Sequence, residues 1–505
     1  MHDYDAAVIG SGIGGLACAL ALARTGQRVV VFERELAGGW CHSFQRKGFR
    51  FTPGLHYVGE LQEDGLLRRA LEGLGVAEDL LFFEQNTDAH DHLKIGDFRF
   101  SIPRGVDRFE ERLVQVFPKE QTGIKGYLKT LKTVCSHMRD SLLTGPESQP
   151  GLAMLGTRFW MASLSDVLDS HISDPLLKAV LTGRCGNHGL GPDKVPAFVH
   201  MAVEGHYLHG GWYPRGGGSA LVQAFVQAIE SHGGEVRERT PVQEVLLEHR
   251  SRGPRAIGVR LNDGTEVRAS QVISNADPHG TFHRLMSLDS LSSTLRRRLE
   301  DTTYSASSMS LFCVVDGDLR DLGMDSGNLW ALPSVRKRPL EGLFMGSPSL
   351  KDPTMQRGNQ HALEAVGFVQ WEHFSKPGGD YNRPKEALLE AQLQQVEQAL
   401  PGFREHVTWA DLGTPKTNQK FIGTTDGCVY GTEKIRKQSG AWAFSNETEV
   451  ESLYLCGAST NLHGVMASLY SGLWAAAAIL RCRPVDFLTE NQHLETAAAE
   501  GPHGS

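Results

Sequence analysis

The first residues, DYDAAVIGSGIGGLACALALARTGQRVVVFER, pass from a short apolar run (AAVIG) through clustered glycines to a helix-forming stretch (LACALALART) and back to an apolar run (QRVVVFE). Short apolar runs bounded by turn residues predict buried strands, so the chain opens on a strand, helix, strand unit. From about residue 60 to 202 the pattern predicts mainly helix. GGWYPRGGGSALVQAFVQAIESHGGEVRERTPVQEVLLE, beginning at Gly210, then repeats the order of glycine turn, amphipathic helix and strands. The following AIGVRLNDGTEVRASQVISNA predicts a hairpin turning at Asn262-Asp263-Gly264 and ending in a buried strand. Beyond Asp277 the pattern is irregular, with predicted strands at SMSLFCVVD and HALEAVGFVQW and a helix over 385–400. SLYLCGASTNLHGVMASLYSGLWAAAAILRC predicts a strand, a turn and a helix of small residues. The tail NQHLETAAAEGPHGS has little to bury, which predicts disorder.

These elements predict an α/β fold: a Rossmann-type dinucleotide domain assembled from three separated segments, 1–60, 205–277 and 436–485. A substrate domain of mixed β-sheet plus helices is expected from 61–204 and 278–435, with a disordered tail over 486–505. The apolar stretch GLAMLGTRFWMASL at 151–164 lacks the basic face of an interfacial helix, so core is the expectation there.

Charge narrows the partners. Lys+Arg of 51 against Asp+Glu of 59 leaves a net charge of -8, which argues against nucleic acid. The 8 cysteines form no CxxC pair, as in a reducing compartment. The N-terminus lacks a secretory pattern, and no apolar run approaches the ~20 residues of a spanning helix. The expectation is a cytoplasmic protein, soluble or in peripheral membrane contact. The basic runs at 296–298 and 336–338 predict solvated faces.

Gly10, Gly12 and Gly15 fit GxGxxG at a strand-to-helix turn, where the first glycine permits the turn, the second admits a pyrophosphate and the third lets helix pack on strand. Glu33 ends the second strand, where an acid accepts hydrogen bonds from a ribose and repels a 2′-phosphate. The motif alone leaves NAD and FAD open.

The stretch GGWCHSFQRKGFRFTPGLHYVG (38–59), together with GNHGLGPDKVPAFVHMAVEGHYLHGGWYPRGGGSAL, ASQVISNADP, SPSLKDPT and LYLCGASTNLHGVMASLYSGLWAA, resembles the flavin-containing amine oxidase and phytoene desaturase superfamily. Within it the chain is most similar to retinol saturase-like and carotenoid oxidoreductases. The resemblance implies FAD, bound non-covalently in an extended pose. It further implies cofactor contacts at Ser11, Gly14, Arg34, Val242, Gly457, His463, Gly464 and Val465, and a glycine pair, Gly38-Gly39, that turns the chain along the cofactor. Where amine oxidases carry an acid after the glycine of the C-terminal motif, this chain has Gly457-Ala458-Ser459-Thr460, as carotene desaturases do.

By the same resemblance His56 and Tyr57 lie near the flavin or the substrate's reacting end. Either moves the proton that accompanies hydride transfer, or both pack the strand end. His206 and Tyr207 line the substrate cavity or pack against the GGWYPRGG turn. His200, His206 and His209 with Glu204 do not have HExxH spacing and lack a cysteine pair, so no metal is expected. The implied activity is an FAD-dependent oxidoreductase acting on C–C and C=C bonds of a long hydrophobic conjugated polyene, with an external electron donor or acceptor that the sequence does not name. Reductive cyclisation of a polyene polyketide, redox-neutral isomerisation, and a non-catalytic flavoprotein or lipid carrier are the alternatives.

Overall fold

The computed structural model describes residues 2–144, 158–251, 253–335, 339–489 and 492–499. The first half of the apolar stretch at 151–164 and all of the basic run at 336–338 lie outside the described residues.

The strands Tyr4–Ile9 and Val29–Phe32 pair in parallel, Ala6 opposite Val29 and Val8 opposite Val31. A parallel pair needs a crossover, and the helix Ile13–Ala23, every residue of it buried, supplies one. Around this pair grows a seven-stranded sheet in the order Val242–Arg250, Gly253–Leu261, Glu266–Ser274, Tyr4–Ile9, Val29–Phe32, Glu235–Arg237, with Leu453–Leu455 also pairing onto Glu266–Ser274. Strands from the start, middle and end of the chain thus share one sheet. The helix Val465–Leu480 lies so close to the first helix that a Cβ on Gly472 would sit 2.0 Å from the Gly14 carbonyl oxygen. Small residues there permit backbone-to-backbone packing.

A second seven-stranded sheet runs Val407–Gly413, Ser307–Asp316, Gln360–Val369, Leu343–Gly346, Asn328–Leu332, Asp91–Ile95, Phe98–Ile102. Its last two strands come from within 60–202, a stretch that is mainly helical as expected but also carries this hairpin. DHLKIGDFRFSI alternates around a glycine turn, and Asp91–Ile95 buries every second residue, the period of a strand. Helices Gln121–Thr144, Leu164–His171, Pro175–Thr182 and Ala197–His206 cover this side of the molecule.

The tail expectation also needs correction. Glu495–Ala498 runs parallel to Leu81–Glu84, which pairs in turn with Trp212–Pro214. Arg68 Nη2 donates to the Leu494 carbonyl at 2.8 Å and Leu494 N donates to Glu72 Oε1 at 3.0 Å. Backbone pairing and a buried Arg68–Glu72 ion pair order this segment, so its low apolar content was a poor guide. Among the described residues no helix is long and apolar enough to cross a membrane.

Candidate active site

One cleft of about 640 Å³ runs from the glycine turn of the first sheet to the second sheet. Its walls include Gly10, Gly12, Gly14, Glu33, Arg34, Gly38, Gly39 and Val242 at one end, Gly457, His463, Gly464 and Val465 along one side, and His56, Tyr57 and His206 at the other end. Ser11 and Gly15 stand behind this wall.

At the first end Glu33 organises the loop. Ser11 donates to Glu33 Oε2 through its backbone N (2.9 Å) and its Oγ (2.7 Å), and Glu35 N donates to Oε1 at 3.0 Å. Gly38 N donates to Ser11 Oγ at 3.0 Å, and Gly12 and Gly38 form a parallel bridge, so the Gly38-Gly39 turn is tied directly to the glycine loop. A Cβ on Gly12 would lie 2.5 Å from Asn275 Nδ2, and one on Gly14 would lie 2.9 Å from Asn275 Oδ1. Asn275, which lines the cleft just after the strand Glu266–Ser274, fills the space beneath the loop. It stands within the quoted ASQVISNADP, but nothing in the spacing marks its role. Arg34 donates to the Gln419 carbonyl at 3.0 Å and so joins this end to the helix Pro415–Phe421.

At the far end His56 Nδ1 lies 2.8 Å from Glu364 Oε2, while Thr52 N donates to the other Glu364 oxygen at 2.9 Å. Glu364 is buried on the strand Gln360–Val369. Lys351 is buried beside them: its ammonium donates to the His56 carbonyl at 2.8 Å and lies 5.7 Å from the Tyr213 ring centre and 5.9 Å from those of Tyr57 and Phe344. Burial lowers the Lys351 pKa to about 8, with Glu364 and then Asp91 opposing the shift. Sequence reasoning found neither Glu364 nor Lys351, because each reaches the site from an element remote in sequence.

Tyr57 stacks on Tyr207 with ring centres 4.2 Å apart; its hydroxyl donates to Asp91 at 3.3 Å and accepts from Asn187 Nδ2 at 3.2 Å. Burial, then Asp91, push its pKa well above 10, so it stays a phenol. Asp91 also accepts from Asn328 and Trp330 and pairs at 2.7 Å with Arg184, whose other arm bonds Glu204. His206 lines the cleft, but its Nε2 accepts from Gly59 N at 2.8 Å and burial drops its pKa to about 3. That ring holds backbone and has no proton to lend at Nε2. Trp330, Phe344, Val366 and Phe368 complete an apolar wall.

His463 Nε2 donates to the Asn187 carbonyl at 2.8 Å, and burial, aided by Lys434, lowers its pKa to about 3. Its Nδ1 is buried without a partner. The helix Val465–Leu480 starts here, with Val465, Met466 and Ala467 in the cleft wall, so its free N–H groups and positive dipole end face the cavity. These features fit an extended dinucleotide: a glycine loop that lines the cleft and is held from beneath by Asn275, an acid at the end of the next strand, a helix N-terminus and an unpaired acceptor farther along.

Residues 13–480 match the family model described as flavin containing amine oxidoreductase. The chain is 30% identical over 550 residues to an all-trans-retinol 13,14-reductase of Danio rerio, covering 98% of this chain and 87% of that protein. It is 27% identical to the chloroplastic prolycopene isomerase of Arabidopsis thaliana, over 94% of this chain and 83% of the other. A solved oxidoreductase from Methanosarcina mazei superposes with a TM-score of 0.67 at 19% identity, covering 94% of this chain and 99% of that one. A putrescine oxidase bound to putrescine gives 0.65 at 16% identity, covering 95% and 99%.

Proposed function

The chain belongs to the flavin-containing amine oxidoreductase family, and from that premise we propose that it saturates a carbon–carbon double bond of a long conjugated polyene of the retinoid or carotenoid kind. It is an FAD-dependent oxidoreductase. The observation that carries the proposal is a single cleft in which a dinucleotide cradle opens onto aromatic walls and a His56–Glu364 pair. The names of the similar proteins, a retinol reductase and a prolycopene isomerase, support a polyene as the substrate class.

Gly12, Gly14, Glu33, Gly38 and the turn Gly457–Gly464 hold FAD in this reading. Bound FAD supplies two-electron hydride chemistry, which no side chain of the protein can provide. The chain's own residues orient the polyene, exclude water and manage the accompanying proton. Trp330, Phe344, Val366 and Phe368 offer an apolar surface to a conjugated chain, where burial contributes about 25 cal/mol per Å². Glu364 fixes the His56 ring with Nδ1 toward the carboxylate, leaving Nε2 as the nitrogen that delivers a proton to a substrate carbon. Thr52 N holds Glu364 in turn. The phenol of Tyr57, locked by Asp91 and Asn187, is a wall of the site and not a proton donor.

The test is anaerobic incubation of the chemically reduced protein with all-trans-retinol or lycopene, followed by mass spectrometry. A product heavier by two hydrogens, with a shortened chromophore, is expected. A product of unchanged mass but altered geometry would establish isomerisation instead, and unaltered polyenes of both kinds would remove the proposal.

A further inference from the structure

Outside the cleft, the 3₁₀ turn Cys185–Asn187 and the helix Ala197–His206 bring Cys185, His188 and His200 together in the core. One ligand atom from each lies within 4.8 Å of the others, and all three residues are buried. His188 Nε2 is 3.0 Å and Cys185 Sγ is 3.8 Å from His200 Nδ1. In a tetrahedral zinc site with bonds of about 2.0–2.1 Å to nitrogen and 2.3 Å to sulfur, neighbouring ligand atoms stand about 3.3–3.6 Å apart. The 3.0 and 3.8 Å separations from His200 Nδ1 bracket that range.

Hydrogen bonding within the cluster leaves a mismatch. His200 Nε2 faces the Leu181 carbonyl at 3.1 Å, and a carbonyl only accepts, so Nε2 carries the proton and Nδ1 the lone pair. A histidine that ligates through one nitrogen while its other N–H donates to a backbone carbonyl is the usual outer-shell arrangement. Without an ion, the single Nδ1 lone pair faces two donors, the His188 Nε2–H and the Cys185 thiol. His188 Nδ1 is then left bare, buried and without a partner.

Charge points the same way. In the neighbouring buried network Arg184 is one cation against two carboxylates, Asp91 and Glu204, and Glu204 Oε1 has no partner. A divalent ion bound to one thiolate brings one net positive charge into this region and offsets the surplus carboxylate.

We propose that Cys185, His188 and His200 form a buried three-ligand site for a borderline-soft divalent cation, with zinc the metal that this sulfur and nitrogen donor set selects. Binding releases the Cys185 thiol proton to solvent and moves the His188 proton from Nε2 to the otherwise unpartnered Nδ1. The histidine set weighed from sequence was different: His206 is committed to Gly59 and His209 is exposed. The ion would pin the turn that carries Asn187, the residue that bonds Tyr57 on one cleft wall and His463 on the other.

The test is metal content by plasma mass spectrometry on holoprotein grown with zinc and desalted, beside cobalt substitution and flavin content from the same samples. About one zinc per chain is expected in the wild type and in His209→Gln, and a thiolate-to-cobalt charge-transfer band after exchange. His188→Gln and Cys185→Ser should lose both. If Cys185→Ser fails to fold, His188→Gln carries the test, with added zinc raising the melting temperature of stripped wild type and leaving that of the variant unchanged. Metal-free wild type with no cobalt band, or undiminished zinc in His188→Gln, overturns the site. Flavin content and polyene turnover are separate readouts, so the failure of the metal site is distinguishable from the failure of the proposed reaction.

Discussion

His56 Nδ1 stands 2.8 Å from Glu364 Oε2 across 308 residues of chain, joining the loop after the strand Phe49–Phe51 to an interior strand of the second sheet. The contact makes Glu364 a positioning residue for the ring. Glu364→Gln should slow turnover by ~10- to 100-fold and His56→Ala by ~100-fold or more, the span of general acid–base contributions. FAD content should be unchanged in both, and the double variant should be little worse than His56→Ala, since the two act as a unit. Steady-state kinetics with absorbance of bound flavin checks this; a change under about threefold in both variants would reduce the pair to packing against that benchmark.

Glu33 receives two hydrogen bonds from Ser11 and one from Glu35 N, so its charge holds the loop as well as lining the cleft where the proposed FAD ribose would lie. With charge-assisted bonds worth ~1.5–3 kcal/mol, Glu33→Gln should weaken FAD binding by about one order of magnitude or more. Gly12→Val should abolish retention, because the new side chain meets Asn275. Equilibrium dialysis against FAD reads both effects, and normal affinity in the valine variant would displace the cofactor from this loop.

What could be read from the chain followed the range of each interaction. The opening unit was legible because a glycine turn, a helix and two apolar strands lie contiguous within residues 4–32. His56 and Tyr57 were legible only through resemblance. Glu364 was not legible at all, since on a strand buried on both faces a lone acid differs from its neighbours only by its partner. The final strand Glu495–Ala498 was hidden for the opposite reason: ETAA carries no apolar signal, and its order comes from pairing with Leu81–Glu84. Asn275 was masked by lying in a quoted motif whose glycine-facing role depends on the Gly12 and Gly457 turns.

Lys434 is buried with its ammonium on the Ala458 carbonyl at 2.6 Å, and burial lowers its pKa from 10.5 to about 7. Between those values the unfolded chain holds a proton that the folded chain has released, so this group makes stability rise with pH across that window. Below it both states are protonated and the buried cation costs most. Lys434→Met should therefore raise the melting temperature relative to wild type most at or below about pH 7, with the gap shrinking toward about pH 10. Parallel melts that show a constant gap would place the cation elsewhere.

Arg184 is the cation shared by Asp91 and Glu204 in the buried network behind Tyr57. Arg184→Met strands both carboxylates and should cost ~3–5 kcal/mol, the usual penalty for breaking a buried pair from one side. Denaturant unfolding measures it. A loss within the ~0–1 kcal/mol of a surface pair would mean that water reaches the network.

The central claim, that this cleft passes electrons from flavin to a polyene, is tested most directly by an anaerobic single turnover. The protein is reduced to completion and mixed with one equivalent of polyene, while the flavin and polyene absorption bands are followed together. The account predicts that flavin reoxidises at the rate at which the polyene chromophore shortens, one flavin for one double bond lost. A polyene that changes while the flavin stays reduced, or a flavin that stays reduced beside an unchanged polyene, would contradict it.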